Sequence, residues 1–406
     1  MEWVDRPRYS AWLNSYAGTP VVKVLTGVRR SGKSSLLAVT AQRLRQQIAP
    51  ERVLHLDFDL FENNSLLSAE ALHERIAAAR PAAGPFAVLL DEIQEVDRWE
   101  RVVNSLVAEG GADIYLTGSN SKLLSSELGT LLTGRYVTLE VSPLSFAEHL
   151  AFTLAATGRE PSNRAAEFQR YLRRGGFPGL LAADFDDAQA RQIVADIFFS
   201  ILARDILGRH PIRGGELFER MARFALDNVG NPFSARRVAA YLKAEQRPLS
   251  HPTVVDYLGY LTEAFVIRPV PQADLRGKGI LALNQKYYAA DHGLVNAVLG
   301  YNASRLPGLL ENIVAVELRR RGYDVRVGQW DGLEVDFVAD RQDERLYVQV
   351  ATTVLEESTR RREYAPLLAI KDSYPKYVVT LDALAGGNTA GVRELTVPDF
   401  LLLEEW

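Results

Sequence analysis

The chain of 406 residues contains no cysteine, and this absence excludes several classes of site. Disulfides, thiolate nucleophiles and cysteine-ligated zinc or iron–sulfur centres all require cysteine sulfur. The six histidines are scattered and lack the paired spacing of a metal-binding helix. The sequence therefore excludes disulfide-stabilised, thiol-dependent and cysteine–metal proteins.

Long apolar runs and an excess of basic charge are also missing. No apolar run approaches the roughly 20 residues of a membrane span, and the first residues, MEWVDRPRYSAWL, carry charges of both signs. We therefore expect a cytoplasmic protein without a membrane partner. The formal net charge of −4 argues against a globally basic nucleic-acid binder. Local basic groups at 236–237, 319–321 and 360–362 either contact nucleic acid or form solvated helix faces.

The strongest motif is GVRRSGKS, residues 27–34, between an apolar strand and an amphipathic helix. It fits the G-x-x-x-x-G-K-[ST] phosphate loop, in which backbone N–H groups and a helix dipole face the phosphates. The lysine of such a loop reaches the β- and γ-phosphates, and the next hydroxyl binds Mg²⁺. We expect ATP and Mg²⁺ to bind at Gly27, Val28, Arg29, Arg30, Ser31, Gly32, Lys33, Ser34 and Ser35.

A second motif, PFAVLLDEIQ at residues 85–94, is an apolar strand that ends in two adjacent acids. We expect Asp91 to hold the ligand shell of Mg²⁺ and Glu92 to orient or activate the attacking water. A nucleotide hydrolase needs the second acid, whereas a simple binder or a kinase does not. Both acids follow a strand directly, at the end where doubly wound sheets place their ligands.

Further apolar strands in RVLHLDFD, ADIYLTGSN and RYVTLEV predict a five-stranded, mostly parallel α/β sheet in the first 140 residues. Thr117, Ser119 and Asn120 would lie at a strand end beside the phosphates. Ser119 is either a sensor of the γ-phosphate or an ordinary turn residue. Arg135, after a glycine in LLTGRY, is either an arginine finger, in cis or from a neighbouring subunit, or a structural arginine.

Together, GVRRSGKSS, LLDEIQ, LTGSN, TGRY and VSPLSFAEHL resemble the prokaryotic AAA-type ATPases of the AAA+ superfamily whose second half is a domain of unknown function. The resemblance extends over nearly the whole chain. It implies an AAA-like sheet, an α-helical lid, a winged helix and a nuclease-like tail. Residues 173–181, RRGGFPGLL, resemble a lid segment that packs near the base, which implies an adenine contact by Pro178; a helix break is the alternative.

Residues 230–300 carry a helix-turn-helix pattern that matches the implied winged helix. Ser234 is placed as an N-cap, and a second helix begins after Ser250 with apolar residues at helical spacing. Asp256 and Glu263 on its outward face oppose docking beside phosphates, so base readout by this helix is not expected. Four residues remain candidates for DNA-backbone contacts, with protein contact or subunit packing as the alternative: Arg236, Arg237, Arg276 and Lys278.

The tail places acids on a helix and on a strand. Helical spacing predicts that Glu311 faces inward with Leu318, whereas Glu317 points away. Asp336 lies on the following strand, in LEVDFVA, and Gln349 on the next. This arrangement resembles the restriction-endonuclease-like fold, including archaeal Holliday-junction resolvases, and implies a vestigial metal site at Glu311, Asp336 and Gln349.

The last motif of that fold departs from its active form. Active members have acid-x-lysine, because carboxylates bind Mg²⁺ and the lysine stabilises charge or holds the attacking water. Here Gln349 supplies no charge and Ala351 supplies no amine. Lys371 or Lys376 reaching in from a neighbouring element is the alternative. We therefore expect a retained but inactive nuclease-like fold.

The sequence thus predicts an α/β protein: a P-loop parallel sheet with a helical lid, then a winged helix and a small α/β nuclease-like domain. The expected domains are residues 1–140, 141–228, 229–300 and 301–406. The expected function is Mg²⁺-dependent ATP hydrolysis that drives a conformational or assembly change linked to DNA. A nucleotide-switched scaffold for a protein partner and a metal-dependent nuclease are the alternatives, and a homo-oligomer is left open.

Overall fold

The computed structural model describes residues 4–121, 134–160, 163–212, 214–244, 249–275 and 280–406. The chain folds as two compact units, residues 1–141 with 263–265, and residues 142–262 with 266–406. Each unit is built on one sheet. Within the described ranges, no helix has both the length and the apolar character that crossing a membrane requires.

The first unit contains a five-stranded, fully parallel sheet in the order β2-β3-β4-β1-β5, which confirms the predicted sheet. Its strands are β1 (Val22–Thr26), β2 (Val53–Asp57), β3 (Ala87–Asp91), β4 (Asp113–Gly118) and β5 (Tyr136–Glu140). Its helices are α1 (Pro7–Ser15), α2 (Lys33–Gln47), α3 (Ala69–Ala79) and α4 (Trp99–Glu109).

Alternate residues of the central strands enter different cores on the two faces of this sheet. Val88 and Leu90 of β3 pack with residues of α3 and α4, whereas Leu89 packs with residues of α1 and α2. The strand order places β4 between β1 and β3, so the carboxyl ends of all three strands lie side by side. This edge carries both predicted nucleotide motifs.

The second unit begins with helices. They are α5 (Phe146–Thr157), α6 (Arg164–Arg174), α7 (Asp187–Ser200), a π-helical continuation (Ile201–Leu207) and α8 (Gly215–Asp227). A capping box starts α5, where the Ser145 hydroxyl accepts from the Glu148 N–H and the Glu148 carboxylate accepts from the Ser145 N–H. The predicted lid region is therefore helical.

The middle of the chain has two helices between short strands. The elements are β6 (Pro232–Phe233), α9 (Ala235–Ala244), α10 (His251–Glu263), β7 (Ile267–Asp274) and β8 (Ile280–Ala289). The hydroxyl of Ser250 accepts from the N–H of Thr253, as an N-cap does, and that of Ser234 lies 3.4 Å from the N–H of Arg237. The predicted helix starts therefore fall where the caps lie, while the winged-helix assignment stays a prediction.

The tail continues with α11 (His292–Leu299), α12 (Leu306–Arg320), α13 (Glu357–Ala369) and α14 (Val397–Leu402). Its strands are β9 (Asp324–Trp330), β10 (Leu333–Arg341), β11 (Glu344–Val350), β12 (Lys376–Thr380), β13 (Gly387–Thr389) and β14 (Val392–Thr396). They join the strands of the middle region in one nine-stranded sheet, ordered β13-β14-β12-β11-β10-β9-β7-β8-β6.

The predicted boundaries after residues 228 and 300 therefore fall inside one unit. β7 pairs in parallel with β9, so the middle and tail share backbone hydrogen bonds. The helical region is tied in as well, because the Asn296 side chain donates to the carbonyl oxygen of Leu172 (2.9 Å) and His292 hydrogen-bonds that of Tyr171 (2.7 Å). Sequence patterns could not detect these links, because their partners lie 121 to 124 residues apart.

The basic run at 319–321 is structural, which corrects its interpretation as a solvated face or nucleic-acid contact. Arg319 donates to the carbonyl oxygen of Pro269 (2.6 Å) and Arg320 to that of Pro143 (2.7 Å). Arg321 donates to the carbonyl oxygen of Leu401 (2.9 Å) and lies over the Trp406 ring. The three guanidinium groups thus join separate segments of the second unit.

Candidate phosphate-binding site and tail cluster

The phosphate-loop motif forms the bend between β1 and α2, at the carboxyl edge of the first sheet. Gly27 has a φ of 139°, and a side chain there would collide with the carbonyl oxygen of Val141. Gly32, with a φ of 100°, forms the N-cap of α2. Only glycine adopts such φ values without strain, so both glycines of the motif are required by the bend.

The amino-terminal segment supports this loop from within the same unit. Arg6 is buried, donates to the carbonyl oxygen of Ser31 (3.0 Å) and lies over the ring of Tyr9. The hydroxyl of Ser31 is also buried and has no hydrogen-bond partner among the described residues. A buried polar group of this kind at a phosphate loop suits a phosphate oxygen. Sequence reasoning missed Arg6, because no motif marks it.

Lys33 is the first residue of α2 and its side chain is buried. Its ammonium donates to the carbonyl oxygens of Gly27 (3.0 Å) and Val28 (3.2 Å). It also lies 3.8 Å from a carboxylate oxygen of Glu92. The amine is therefore held between the phosphate loop and the second motif.

Asp91 ends β3 and is buried among polar partners. It accepts hydrogen bonds from the hydroxyls of Thr117, at the end of β4, and Ser34. The pKa of Asp91 is raised to about 6: burial is the largest cause, the nearby charges of Glu92 and Asp57 add to it, and the two hydrogen bonds oppose it. A carboxylate that is costly to ionise in this position is suited to a cation.

Glu92 is held in an unusual backbone conformation beside it. Its φ of 51° and ψ of 47° are left-handed, and its N–H donates to the Thr117 hydroxyl (2.9 Å). One carboxylate oxygen faces Lys33 and the other accepts from the amide of Gln94. The structure thus brings Lys33, Asp91 and Glu92 together around Thr117.

These residues fit Mg²⁺ and a triphosphate. The Ser34 hydroxyl and the Asp91 carboxylate are hydrogen-bonded to each other, so two hard oxygen ligands of the kind that Mg²⁺ prefers meet at one point. Arg30, Ser34 and Ser35 are exposed, so the mouth of the loop faces solvent. Ser34 and Asp91 would hold the ion, which would neutralise phosphate charge when bound.

Sequence reasoning also missed a third acid at this edge. Asp57 ends β2 and lies directly opposite Asp91 in the strand register. Burial raises the pKa of Asp57, and the charges of Asp59 and Glu92 add to this. Asp59 forms an ion pair with Arg29 of the phosphate loop (3.5 Å). The acids in RVLHLDFD were the available signal, but only strand pairing shows which strand end adjoins Asp91.

The remaining predicted residues of the nucleotide site lie in different places. Ser119 and Asn120 follow β4 directly and are buried at the same sheet edge, so the position predicted for a γ-phosphate sensor adjoins Thr117. Arg135 precedes β5, and its carbonyl oxygen accepts from Val22 at the start of β1.

Arg135 therefore lies at the amino edge of the sheet, opposite the phosphate loop, because β5 runs parallel to β1. Its exposed side chain cannot serve as an arginine finger in cis, which corrects that alternative. Supply from a neighbouring subunit stays a prediction. Pro178 begins a 3₁₀ helix (Pro178–Leu181) of the second unit and is half-buried, and its predicted adenine contact also stays a prediction.

In the tail, the structure supplies an amine to the predicted acid cluster from an unexpected element. The buried ammonium of Lys286, on β8, lies 3.1 Å from Glu311, 2.9 Å from Glu334 and 3.9 Å from Asp336. The hydroxyl of Tyr288 donates to Glu311 (2.8 Å). Although burial opposes charge, the three acids raise the pKa of Lys286. The lysine that the tail motif lacks is thus provided 63 residues earlier in the chain than Gln349.

The two lysines suggested for that role lie elsewhere. Lys371 donates to the carbonyl oxygen of Leu368, and Lys376 pairs with Asp372 (3.0 Å). Glu317 is buried as well, against the guanidinium groups of residues 320 and 321, so the expectation that only Glu311 of this helix is an inward acid is wrong.

Gln349 uses its side chain for other contacts. Its amide nitrogen donates to Glu363 (2.9 Å), and its oxygen accepts from the N–H of Asp336 (3.3 Å). One oxygen of Asp336 accepts from the N–H of Val350 (2.8 Å). In the part of the chain that the structure describes, no group of three or more histidine or acidic side chains is arranged to hold a metal. The predicted metal set at Glu311, Asp336 and Gln349 contains only two acids, and it stays a prediction.

The structure describes two of the four residues predicted to contact the DNA backbone. Arg236 and Arg237 are exposed on α9, whereas Arg276 and Lys278 lie outside the described residues. On α10, Asp256 is exposed and the ring of Tyr260 stacks on His210 with centroids 3.9 Å apart. This packing and this charge agree with the expectation that α10 does not read bases.

Two family models match parts of the chain. A family model described as an AAA domain matches residues 19–150, and a domain of unknown function matches residues 165–305. The Walker-type ATPase of Pyrococcus abyssi is 18% identical with a TM-score of 0.47, covering 73% of this chain and 95% of that one. AMPPCP-bound DnaA from Aquifex aeolicus is 15% identical with a TM-score of 0.33, covering 63% and 86%.

Two relatives are similar over almost the full length. An uncharacterized protein of Haemophilus influenzae is 38% identical over 402 residues, which is 98% of this chain and 98% of that protein. An uncharacterized protein of Methanocaldococcus jannaschii is 30% identical over 391 residues, 93% of this chain and 85% of that protein. The chain therefore belongs to one family with these two proteins, and its residues 19–150 match the AAA-domain model.

Proposed function

We propose that the protein is a Mg²⁺-dependent ATPase that uses ATP binding and hydrolysis to drive a conformational or assembly change linked to DNA handling. The arrangement of Lys33, Asp91 and Glu92 around Thr117 at one sheet edge carries this proposal. A binding loop alone would not require a second buried acid within 3.8 Å of the loop lysine.

Each group has a distinct task in hydrolysis. Lys33 binds the β- and γ-phosphates, and the loop amides and the Ser31 hydroxyl add donors to phosphate oxygens. Ser34 and Asp91 hold Mg²⁺, which offsets charge on the phosphates. Glu92 accepts a proton from the attacking water or orients it, and Ser119 senses the γ-phosphate from the end of β4.

Two variants test the assignment. Lys33→Ala should abolish nucleotide binding, because the loop loses its only ammonium. Glu92→Gln should bind ATP as wild type does. It should hydrolyse ATP at least roughly 100-fold more slowly, since a general base contributes about 10²–10⁴-fold. Fluorescent-nucleotide titration and phosphate release measure the two effects.

Exposed residues of the same types serve as controls. Glu95→Gln, three residues beyond Glu92, and Lys371→Ala, on the surface of the second unit, should leave both measurements unchanged. Normal turnover by the Glu92→Gln protein would contradict the assignment of Glu92 as the general base.

The DNA link is supported by the exposed Arg236 and Arg237 on α9. We expect the rate of ATP hydrolysis to rise with single-stranded, duplex or branched DNA, and DNA binding to weaken with salt. The Arg236→Ala/Arg237→Ala protein should lose both the DNA stimulation and the salt-dependent DNA binding. Elution size with and without ATP tests assembly, including supply of Arg135 from a neighbouring subunit.

A second candidate is a nucleotide-switched scaffold that binds a protein partner and turns over slowly. The stacking of Tyr260 on His210 and the exposed Asp256 favour it, because they leave α10 unsuited to DNA. A flat response of hydrolysis to every DNA would support the scaffold. A nuclease is less favoured, since the side-chain amide of Gln349 is hydrogen-bonded to Glu363 and to the N–H of Asp336. The nuclease hypothesis predicts DNA cleavage that disappears in Asp336→Ala.

A further inference from the structure

Gln94, two residues after Glu92, makes a contact that its own packing does not explain. Its amide nitrogen donates to one carboxylate oxygen of Glu92. Its amide oxygen is buried and has no hydrogen-bond partner among the described residues. A buried, unsatisfied amide oxygen opposes folding, so the side chain is not placed there for stability.

The backbone around Glu92 makes this contact possible. The left-handed conformation of Glu92 starts a 3₁₀ turn (Ile93–Glu95), closed by the Glu95 N–H donating to the Glu92 carbonyl oxygen (3.0 Å). The turn brings the side chain of Gln94 back onto the carboxylate, since both residues follow the same strand end. Non-glycine residues in this region of φ and ψ are strained, and such strain persists where the surroundings fix it.

The two oxygens of Glu92 have different neighbours. One lies 3.8 Å from the Lys33 ammonium, which is also the group that meets phosphates, and the other accepts from Gln94. A ligand that draws Lys33 toward phosphate would change the first contact. The Gln94 contact does not involve the phosphate loop and would remain.

Resting on the ATPase function proposed above, we propose that Gln94 is a positioning residue that holds the Glu92 carboxylate in the orientation from which it accepts a proton from the attacking water. Gln94 itself does not touch the nucleotide. It acts only through Glu92, by fixing the rotation of the carboxylate with one N–H donor. A positioning residue contributes by orienting a catalytic group, and loss of that orientation lowers the reaction rate by a large factor.

The test is Gln94→Met in the full chain, because methionine has nearly the same length and no amide. We expect kcat for ATP to fall roughly 10- to 100-fold. The dissociation constant of a fluorescent ATP analogue should change less than about twofold, since the phosphate loop is untouched. The melting temperature should stay level or rise, because the buried amide oxygen is removed.

A double-mutant cycle separates positioning from a general structural role. In single-turnover hydrolysis, Gln94→Met should have little further effect in the Glu92→Gln protein, because its only route of action is then gone. An equal loss in both backgrounds, an unchanged kcat, or a weakened ATP complex would each overturn the positioning role alone. Absence of hydrolysis by the wild-type chain would overturn the ATPase proposal and this inference together.

Discussion

Three carboxyl groups, those of Asp57, Asp91 and Glu92, share one sheet edge with the buried ammonium of Lys33. Burial raises the pKa of Asp57 and of Asp91, and the charge of Glu92 adds to both shifts. Neighbouring acids repel each other in the folded state, and a bound divalent cation reverses that repulsion. These residues are therefore arranged for ligand binding at some expense of stability.

The ionisation of Asp91 makes the stability of the folded protein depend on pH. Its folded-state pKa of about 6 exceeds its ordinary value of 3.8, so the folded protein holds the proton more tightly. The resulting stabilisation is present at low pH and is lost as pH rises from about 4 through 6, by roughly 3 kcal/mol. Relative to wild type, Asp91→Asn should therefore be more stable at pH 7.5 than at pH 4.5 in chemical denaturation.

The exposed acid Asp97 provides the control for that measurement. Asp97→Asn should change stability little at either pH, since its carboxylate faces solvent. The same stability difference between Asp91→Asn and wild type at both pH values would contradict the buried-carboxyl interpretation.

Between elements, Lys286 joins β8 to α12 through Glu311 and to β10 through Glu334 and Asp336. One ammonium faces three acids, so its removal would leave buried carboxylates without a cation. Glu311 also borders a cavity of about 430 Å³. The cluster thus acts as a link between elements that the sequence assigned to separate domains.

Lys286→Met should lower the free energy of unfolding at pH 8 by about 3 kcal/mol, as expected for breaking a buried ion pair. The loss should shrink at pH 5, because burial raises the pKa of Glu311 and of Asp336 and protonation then removes their charge. Urea denaturation at the two pH values measures both effects.

Lys371→Met, at an exposed lysine that donates to a backbone carbonyl oxygen, should leave stability unchanged. A Lys286→Met protein as stable as wild type at pH 8 would show that the ammonium does not hold these elements together.

For the whole molecule, the nine-stranded sheet joins the middle region to the tail, and residues 142–262 and 266–406 form one compact unit. β7 pairs with β9, and the buried side chain of Asn312 exchanges two hydrogen bonds with the backbone of Ala289 (2.6 and 3.0 Å). Helices of the amino-terminal half of this unit are tied to α11 by side-chain hydrogen bonds to backbone carbonyls.

A chain ending at residue 300 should therefore fail to fold its second unit. The cut removes β9 and α12, exposes the edge of β7 and leaves buried apolar residues such as Val270 in contact with water. We expect the fragment to elute as aggregates and to bind a hydrophobic dye, in contrast to the full chain. A soluble fragment with cooperative unfolding would instead support the domain boundary predicted after residue 300.

Local patterns predicted the sheet and the two motifs of the first unit, but not every residue of its site and not the extent of the second unit. The phosphate loop, the Asp91–Glu92 pair and the strands are each contiguous in sequence, so spacing and apolar content predict them. Arg6, Asp57 and Lys286 belong to no motif, and each acquires its role from a partner distant along the chain. Gln94 lies within the motif PFAVLLDEIQ, but its contact with Glu92 depends on the left-handed turn at Glu92.

The sequence by itself determined the class of protein, because glycines, a lysine and paired acids at fixed offsets from strands specify a phosphate site through local backbone geometry. Only the tertiary structure decided which edge Arg135 occupies, which lysine meets Glu311 and Asp336, and where one unit ends. Strand order and side-chain burial set these outcomes, and both depend on contacts between residues far apart in the chain.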